Sequence, residues 1–203
     1  MNTVVFDLGG VLIDWDPRYL YRKLLPDDDD VERFLSEVTT PEWNLEQDRG
    51  RSWDDAVALL SEQHPGYSEL IAAYHHRWEE MIGGPIGETV DILQDLRNTG
   101  TELYALTNWS AEKFPIARER FHWLSWFEGI VVSGEEELIK PDPRIFRLLA
   151  GRYGVELPSA VYIDDNSANV QAAASLGMTA LHFTSPAKLR VDLTGAGLLS
   201  TPE

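Results

Sequence analysis

Five short apolar runs, each followed by a helix-like stretch, constrain this chain more than any other feature. They are Thr3–Phe6, Leu103–Thr107, Gly129–Val132, Ala160–Ile163 and Thr179–Phe183. Each is nearly continuous in apolar character, the pattern of a strand buried on both faces. Between them the period changes to that of a helix. Val90, Leu93 and Leu96 share one face before a stop at Gly100. Ile145, Leu148 and Leu149 do the same before Gly154. Ser167 is placed to cap a helix that carries Val170, Ala173, Ala174 and Leu176 and ends at Gly177. Strands that alternate with helices in this way predict an α/β fold, a parallel sheet covered on both sides.

One segment, residues 17–84, breaks the alternation. It shows no convincing strand. Val31, Phe34, Leu35 and Val38 follow a helical stripe, as do Leu70, Ile71, Tyr74 and Trp78. Ser52 with Asp55 three residues on is a capping-box pattern. The acidic run Asp27–Asp30 suits a solvated loop and helix N-terminus. Residues 17–84 are therefore expected to form a helical cap inserted into a core made of 1–16 and 85–203. The length of 203 residues fits one domain with such an insertion. Several of the seven tryptophans fall between Trp15 and Trp78. They are expected to fill a small helical core, with ligand-facing aromatic walls as the alternative. His75-His76 is expected on a helix surface or at a core edge. The tail from Gly195 to Glu203 is expected to fray.

Charge and composition exclude several classes. The chain has 17 basic and 34 acidic residues, a net charge of −17. That field repels nucleic-acid backbones and anionic membrane surfaces, so neither is expected as a partner. With no cysteine, disulfides, thiolate metal sites and cysteine nucleophiles are ruled out. No basic leader and no long apolar run is visible, which suggests a cytoplasmic protein, a monomer or homodimer acting on a small molecule.

In open parallel sheets, ligands sit beyond the carboxyl ends of the strands. The residues found there are Asp7, Leu8, Gly9 and Gly10 after the first run, and Thr107 and Asn108 after the second. Lys140, one of only four lysines, follows the third, and Asp164, Asp165 and Asn166 follow the fourth. Asp7 could act as a nucleophile. Gly9 and Gly10 permit a tight turn and close approach of backbone to ligand. Asp7 and Asp165 offer hard oxygen ligands suited to Mg²⁺. Thr107, Asn108 and Lys140 could hydrogen-bond and neutralise a bound phosphoryl group. The Walker phosphate-binding pattern is absent.

Taken together, these motifs resemble the haloacid-dehalogenase-like hydrolase superfamily. The resemblance is carried by Phe6-Asp7-Leu8-Gly9-Gly10-Val11-Leu12, Leu106-Thr107-Asn108, Lys140-Pro141-Asp142 and Ile163-Asp164-Asp165-Asn166, continuing to Asn169. It implies a Rossmann-like, doubly wound core with a helical cap, and a covalent intermediate on Asp7. It further implies Mg²⁺ bound by Asp7, the Gly9 carbonyl and Asp165, with Asp164 behind them and Lys140 and Thr107 holding the transferred group. One position departs from the pattern. Most phosphatases of the superfamily carry a second Asp, the general acid, two residues after the nucleophile, and here Gly9 stands there. In this the chain is similar to sugar-phosphatase-like members with an Asp-x-Gly-Gly start. Asp14 and Asp16 are nearby alternatives for the acid, better suited to flap or capping roles.

The expected activity is thus Mg²⁺-dependent hydrolysis of a small phosphorylated metabolite, a sugar phosphate being one candidate. A metal-free 2-haloacid dehalogenase and a non-catalytic binding module are the competing readings. Adjacent Asp164 and Asp165 favour the first, because two carboxylates without a cation would repel each other and an incoming anion. Substrate contacts from the cap are expected in the polar, aromatic-bearing stretch Trp43, Asn44, Asp48, Arg49 and Arg51, with Gly10 contributing from the core.

Overall fold

The computed structural model describes residues 2–200. Its seven strands are β1 (Thr3–Phe6), β2 (Ile13–Trp15), β3 (Ile82–Pro85), β4 (Glu102–Thr107), β5 (Gly129–Val132), β6 (Ala160–Asp164) and β7 (Thr179–His182). Five of them form a parallel sheet in the order β5-β4-β1-β6-β7. All five coincide with the apolar runs of the sequence. Alternate side chains explain why those runs are continuous. Val4, Phe6, Leu103, Ala105, Val161 and Ile163 join one apolar cluster. Val5, Tyr104, Leu106, Val131 and Tyr162 join the other, packed on Ile145, Phe146 and Leu149 of the helix Pro143–Tyr153. Both faces of the sheet are therefore buried, as in a doubly wound Rossmann-like fold.

Chain order reverses at β1. The chain passes from β1 to β4 and β5 on one side, then returns to β6 and β7 on the other. The crevice at such a switch point, beyond the carboxyl ends of β1, β4 and β6, is where an α/β sheet leaves room for a ligand.

Between β2 and β3 lie five α-helices: Arg18–Tyr21, Asp28–Glu37, Pro41–Asp48, Trp53–Gln63 and Ser68–His76. Their starts follow local chemistry. Asp27, Thr40 and Ser52 each accept a hydrogen bond from a backbone N–H three residues on. Trp43, Trp53 and Tyr74 pack ring against ring at 5.2–5.8 Å between centroids. His75 stacks on Trp53 at 5.6 Å. These aromatics fill the interior of the helical insert, and its apolar cluster runs on into the core beneath.

Three local expectations change. Residues 82–84 are not helical: β3 pairs antiparallel with β2 across a bulge at Asp14/Trp15, making the ribbon that carries the chain into and out of the insert. The cap of the helix Ser167–Ser175 is Asn166, whose side chain accepts from the Ala168 N–H, rather than Ser167. The tail after Gly195 does not fray within the described residues, because Leu198 donates to the Leu193 carbonyl at 2.9 Å and both Leu198 and Leu199 are buried. Residues 201–203 lie outside the described residues. Among the described residues, no helix is long and apolar enough to cross a membrane.

Candidate active site

Register brings the strand ends together. Phe6 is level with Ala105 on one side and Ile163 on the other. Asp7, Thr107, Asp164 and Asp165 therefore emerge along one edge of the sheet. The Asp7 N–H donates to the Ile163 carbonyl at 2.8 Å, and Asp7 Oδ1 accepts from the Leu8 N–H at 2.7 Å.

Lys140 is the hub. Its ammonium lies 2.9 Å from Asp7 Oδ1 and 2.8 Å from Asp164 Oδ2, and the residue is only 2% exposed. Asn108 holds its backbone from both sides. The Lys140 N–H donates to Asn108 Oδ1 at 2.8 Å, and Asn108 Nδ2 donates to the Lys140 carbonyl at 3.1 Å. The Asn108 amide thus positions Lys140 with its two polar atoms. Asp164 is enclosed by donors: Tyr162 Oη at 2.5 Å, Asn169 Nδ2 at 3.1 Å and the Asn166 N–H at 2.8 Å, besides Lys140. Its oxygens are committed to holding the lysine. Thr107 Oγ1 is buried with no protein partner.

The electrostatics follow from this packing. Burial opposes charge on Asp164, but Lys140 and the hydrogen bonds outweigh it and hold its pKa below the ordinary carboxylate value. Burial also pushes Lys140 toward neutrality, and Asp7 and Asp164 more than reverse that. Asp7 is pushed up to about 7, chiefly by burial, with Asp164 and Asp165 adding to the rise and Lys140 opposing it. Asp165 is raised by burial and by Asp164. Carboxylate oxygens of Asp7, Asp164 and Asp165 lie within 4.8 Å of one another. One ammonium cannot balance three carboxylates so close together. A hard divalent cation would, and the all-oxygen donor set suits Mg²⁺.

Asp7 and Asp165 of this cluster line a cavity of about 360 Å³. Asp7, Gly9, Gly10 and Asp165 form its catalytic-looking end. Trp15, Trp78 and Trp109 supply aromatic walls, and Asn44 and Asp48 reach in from the helix Pro41–Asp48. The indole N–H groups of Trp15 and Trp109 and the Asn44 Oδ1 are buried without protein partners.

The expected cap residues separate here. Asn44 lines the cavity, whereas Trp43 packs into the aromatic interior of the insert. Arg49 does not reach the site: it is exposed and pairs with Glu46 at 3.5 Å. Arg51 is spent on Gln47 Oε1 at 2.7 Å and the Trp43 carbonyl at 3.0 Å. Sequence reasoning missed Trp109, Ser110 and Tyr162, while Trp15 and Trp78 line the cavity as its alternative of aromatic walls had it. Trp109 and Ser110 directly follow the Thr107-Asn108 motif, so the signal was present in the strand-end position. Asp14 accepts from Tyr19 Oη at 2.7 Å and Asp16 from the Arg18 N–H at 2.9 Å. Both line a neighbouring cleft and not this cavity.

The two glycines of the first loop differ. Gly10 has φ +73°, and a Cβ there would overlap the Asp165 carboxylate. Gly9 has no such constraint, since a Cβ there meets nothing within 4 Å. Gly10→Ala is expected to cost about 1–2 kcal/mol in left-handed strain, lowering Tm by roughly 2–8 °C. It should also displace Asp165, so any divalent cation held by the Asp7–Asp164–Asp165 carboxylates should bind more weakly. A melt and a Mg²⁺ titration check both.

A parallel sheet whose strand ends deliver an aspartate, a buried lysine and paired acidic residues beneath a helical insert defines a class of α/β hydrolase. Residues 1–177 match the haloacid dehalogenase-like hydrolase family, and the chain belongs to it. It is 29% identical over 186 residues to a sesquiterpene phosphatase of Aspergillus oryzae, covering 90% of each chain. It is 24% identical over 229 residues to a phosphorylated carbohydrates phosphatase of Thermotoga maritima, covering 100% of this chain and 95% of that one. Among solved structures, it resembles a family enzyme of Bacteroides thetaiotaomicron in complex with magnesium and inorganic phosphate. That match has a TM-score of 0.69 and 23% identity, over 91% of this chain and 94% of the other, a likeness of fold.

Proposed function

We propose that the protein is a Mg²⁺-dependent phosphatase that hydrolyses a small phosphomonoester through a covalent aspartyl-phosphate on Asp7. The observation that carries this reading is that Asp7 and Asp165 line the cavity while Lys140 and Asp164 are packed against them behind its wall. Asp7 attacks phosphorus. Lys140 favours its ionised form against burial and draws off charge that develops on the phosphoryl oxygens. Thr107 Oγ1 donates to one of those oxygens. Asp7, the Gly9 carbonyl and Asp165 hold the Mg²⁺, which when bound supplies positive charge to offset repulsion between the nucleophile and the substrate anion. Asp164 fixes Lys140. The segment 17–84 acts as the cap that selects the leaving group, with Gly10, Asn44 and the indoles around it.

The leaving group is uncharged with an apolar face. No lysine, arginine or histidine is among the residues lining the cavity, so a second anionic group would go unpaired there. Three tryptophans suit a hydrocarbon or the C–H face of a sugar. The Aspergillus and Thermotoga relatives, a sesquiterpene phosphatase and a carbohydrate phosphatase, fall on those two sides.

Hydrolysis of p-nitrophenyl phosphate with and without EDTA is the test. Metal removal is expected to lower turnover by at least about a hundredfold, since bound metal ions supply several kcal/mol at such centres. Full activity in EDTA, or metal-free turnover of 2-chloropropionate, would overturn the reading in favour of a dehalogenase.

A further inference from the structure

The phosphatase reading leaves one proton unassigned. When the ester bond breaks, the leaving oxygen of an alkyl or sugar phosphate departs as a strong base and must be protonated. Gly9 has no side chain to do this. Asp14 and Asp16 are engaged elsewhere and face the neighbouring cleft. Three carboxyl groups line the cavity among the described residues: Asp7, Asp165 and Asp48. The first is the nucleophile and the second a metal ligand. Asp48 has no task.

Asp48 is built in rather than incidental. It ends the helix Pro41–Asp48, and the core clamps it there: its carbonyl accepts from Ser133 Oγ at 2.5 Å. Its Oδ2 accepts from Asn44 Nδ2 at 3.3 Å, and its carboxyl faces the Ser110 backbone N–H. The two arginines that follow it in sequence are turned to Glu46, Gln47 and the Trp43 carbonyl, so neither pairs with it.

We infer that Asp48 is the general acid and base of this enzyme, supplied from the helical insert in place of the side chain absent at Gly9. The inference rests on the phosphatase reading. In the first step Asp7 Oδ bonds to phosphorus, the P–O bond to the leaving group breaks, and the Asp48 carboxyl gives its proton to that oxygen, releasing the alcohol. In the second, the Asp48 carboxylate takes a proton from water as the water oxygen bonds to phosphorus. The P–O bond to Asp7 then breaks, releasing phosphate and restoring both residues.

The surroundings suit a proton donor. Burial pushes Asp48 up to about 7, with the Ser110 N–H and Lys140 limiting the rise. Asn44 faces it from its own helix, and Ser110 and Lys140 from the core. Tyr74, from the helix Ser68–His76, is held well above its ordinary value by burial and stays neutral. Asp7 and Asp165 line the same cavity.

The experiment compares n-hexyl phosphate with p-nitrophenyl phosphate, both with Mg²⁺. Nitrophenolate leaves without a proton, so a general acid matters little to it. Asp48→Asn is expected to lower kcat/KM, which reports the step that expels the leaving group, about 10²-fold or more on hexyl phosphate and less than about tenfold on p-nitrophenyl phosphate, while the shared loss of the base in the second step lowers kcat on both. Wild-type kcat/KM on hexyl phosphate should fall as pH rises through about 7, because the acid is lost when deprotonated, and Asp48→Asn should lack that limb. Gly9→Asp in the Asp48→Asn background should recover part of the hexyl phosphate rate, since the space at Gly9 is open. Equal losses in kcat/KM on the two esters, or no loss in kcat/KM on hexyl phosphate, overturn the inference. If Asp48→Asn does not fold, the wild-type profiles decide: an alkaline limb equal for both esters, or none for hexyl phosphate, overturns it. A wild-type protein that hydrolyses neither ester with Mg²⁺ removes the phosphatase reading itself. One that hydrolyses p-nitrophenyl phosphate while Asp48→Asn leaves the ratio unchanged removes the role of Asp48 alone.

Discussion

Asp7→Asn is expected to abolish phosphatase turnover, by at least about 10³-fold in kcat, while leaving the protein folded. The amide keeps the shape of the side chain but is a very poor nucleophile, and losses of this size are usual when a nucleophile is removed. The same substitution should not destabilise the fold. Asp7 is the carboxyl of the cluster whose ionisation burial most opposes, with Asp164 and Asp165 adding repulsion. Removing its charge relieves that repulsion and leaves Lys140 paired with Asp164 at 2.8 Å. A Tm equal to or above that of the wild type is therefore expected in metal-free buffer, the common outcome where function is built at the expense of stability. Retention of more than about a tenth of wild-type kcat would remove Asp7 from its role.

That cluster is legible in the sequence because the sheet forces its chemistry to a few places. A strand buried on both faces tolerates no charge along its length, so Asp7, Asp164 and Asp165 stand out at the ends of Thr3–Phe6 and Ala160–Ile163. Parallel register then aligns those ends without further information. Lys140 is legible for a related reason: lysine is scarce in this chain, and it sits just past the Gly129–Val132 strand. What strand-end reasoning does not give is the division of labour. Asn108 reads as a phosphate-binding group, and although it lines the cavity both polar atoms of its amide bond the Lys140 backbone, while Asp164, expected behind the metal ligands, also holds the Lys140 ammonium.

The insert is legible as helices and not as a surface. Spacing of Val31, Phe34 and Leu35 identifies a buried face, and the capping residues mark the starts. The helix Pro41–Asp48 lacks such a stripe: Trp43 and Gln47 turn inward, Asn44 and Asp48 line the cavity, and Glu42 and Glu46 are exposed. Phase on so short and polar a helix is set by what it docks against. A cation such as Arg49 is the natural expectation for a phosphate site, yet the neighbouring position Asp48 is the one the core clamps toward the cavity. The β2–β3 ribbon escapes sequence reasoning for a different reason. Gly83, Gly84 and Pro85 read as turn residues, but at Gly83 the close approach of Asp14 and the Tyr19 ring requires the absence of a side chain.

The largest structural effect is expected from Lys140→Met. Methionine matches the volume of the lysine stem and packs well in apolar surroundings, so lost packing is not the issue. What is lost is the one ammonium that the described residues place among carboxylates whose oxygens lie within 4.8 Å of one another. Breaking a buried pair by removing one partner typically costs about 3–5 kcal/mol, because the remaining charge has neither water nor counter-ion. For a chain of this size that corresponds to a fall in Tm of roughly 6–20 °C. The cost is an interaction, so it should be non-additive. Asp164→Asn made on the Lys140→Met background should recover more than about 1 kcal/mol, although Asp164→Asn alone destabilises the wild type by exposing Lys140 to an amide in place of a carboxylate. Equilibrium denaturation of the four proteins measures the coupling directly. A Lys140→Met protein melting within about 2 °C of the wild type, or strictly additive effects, would show that Asp7 and Asp164 share protons between themselves and do not depend on the lysine for their charge.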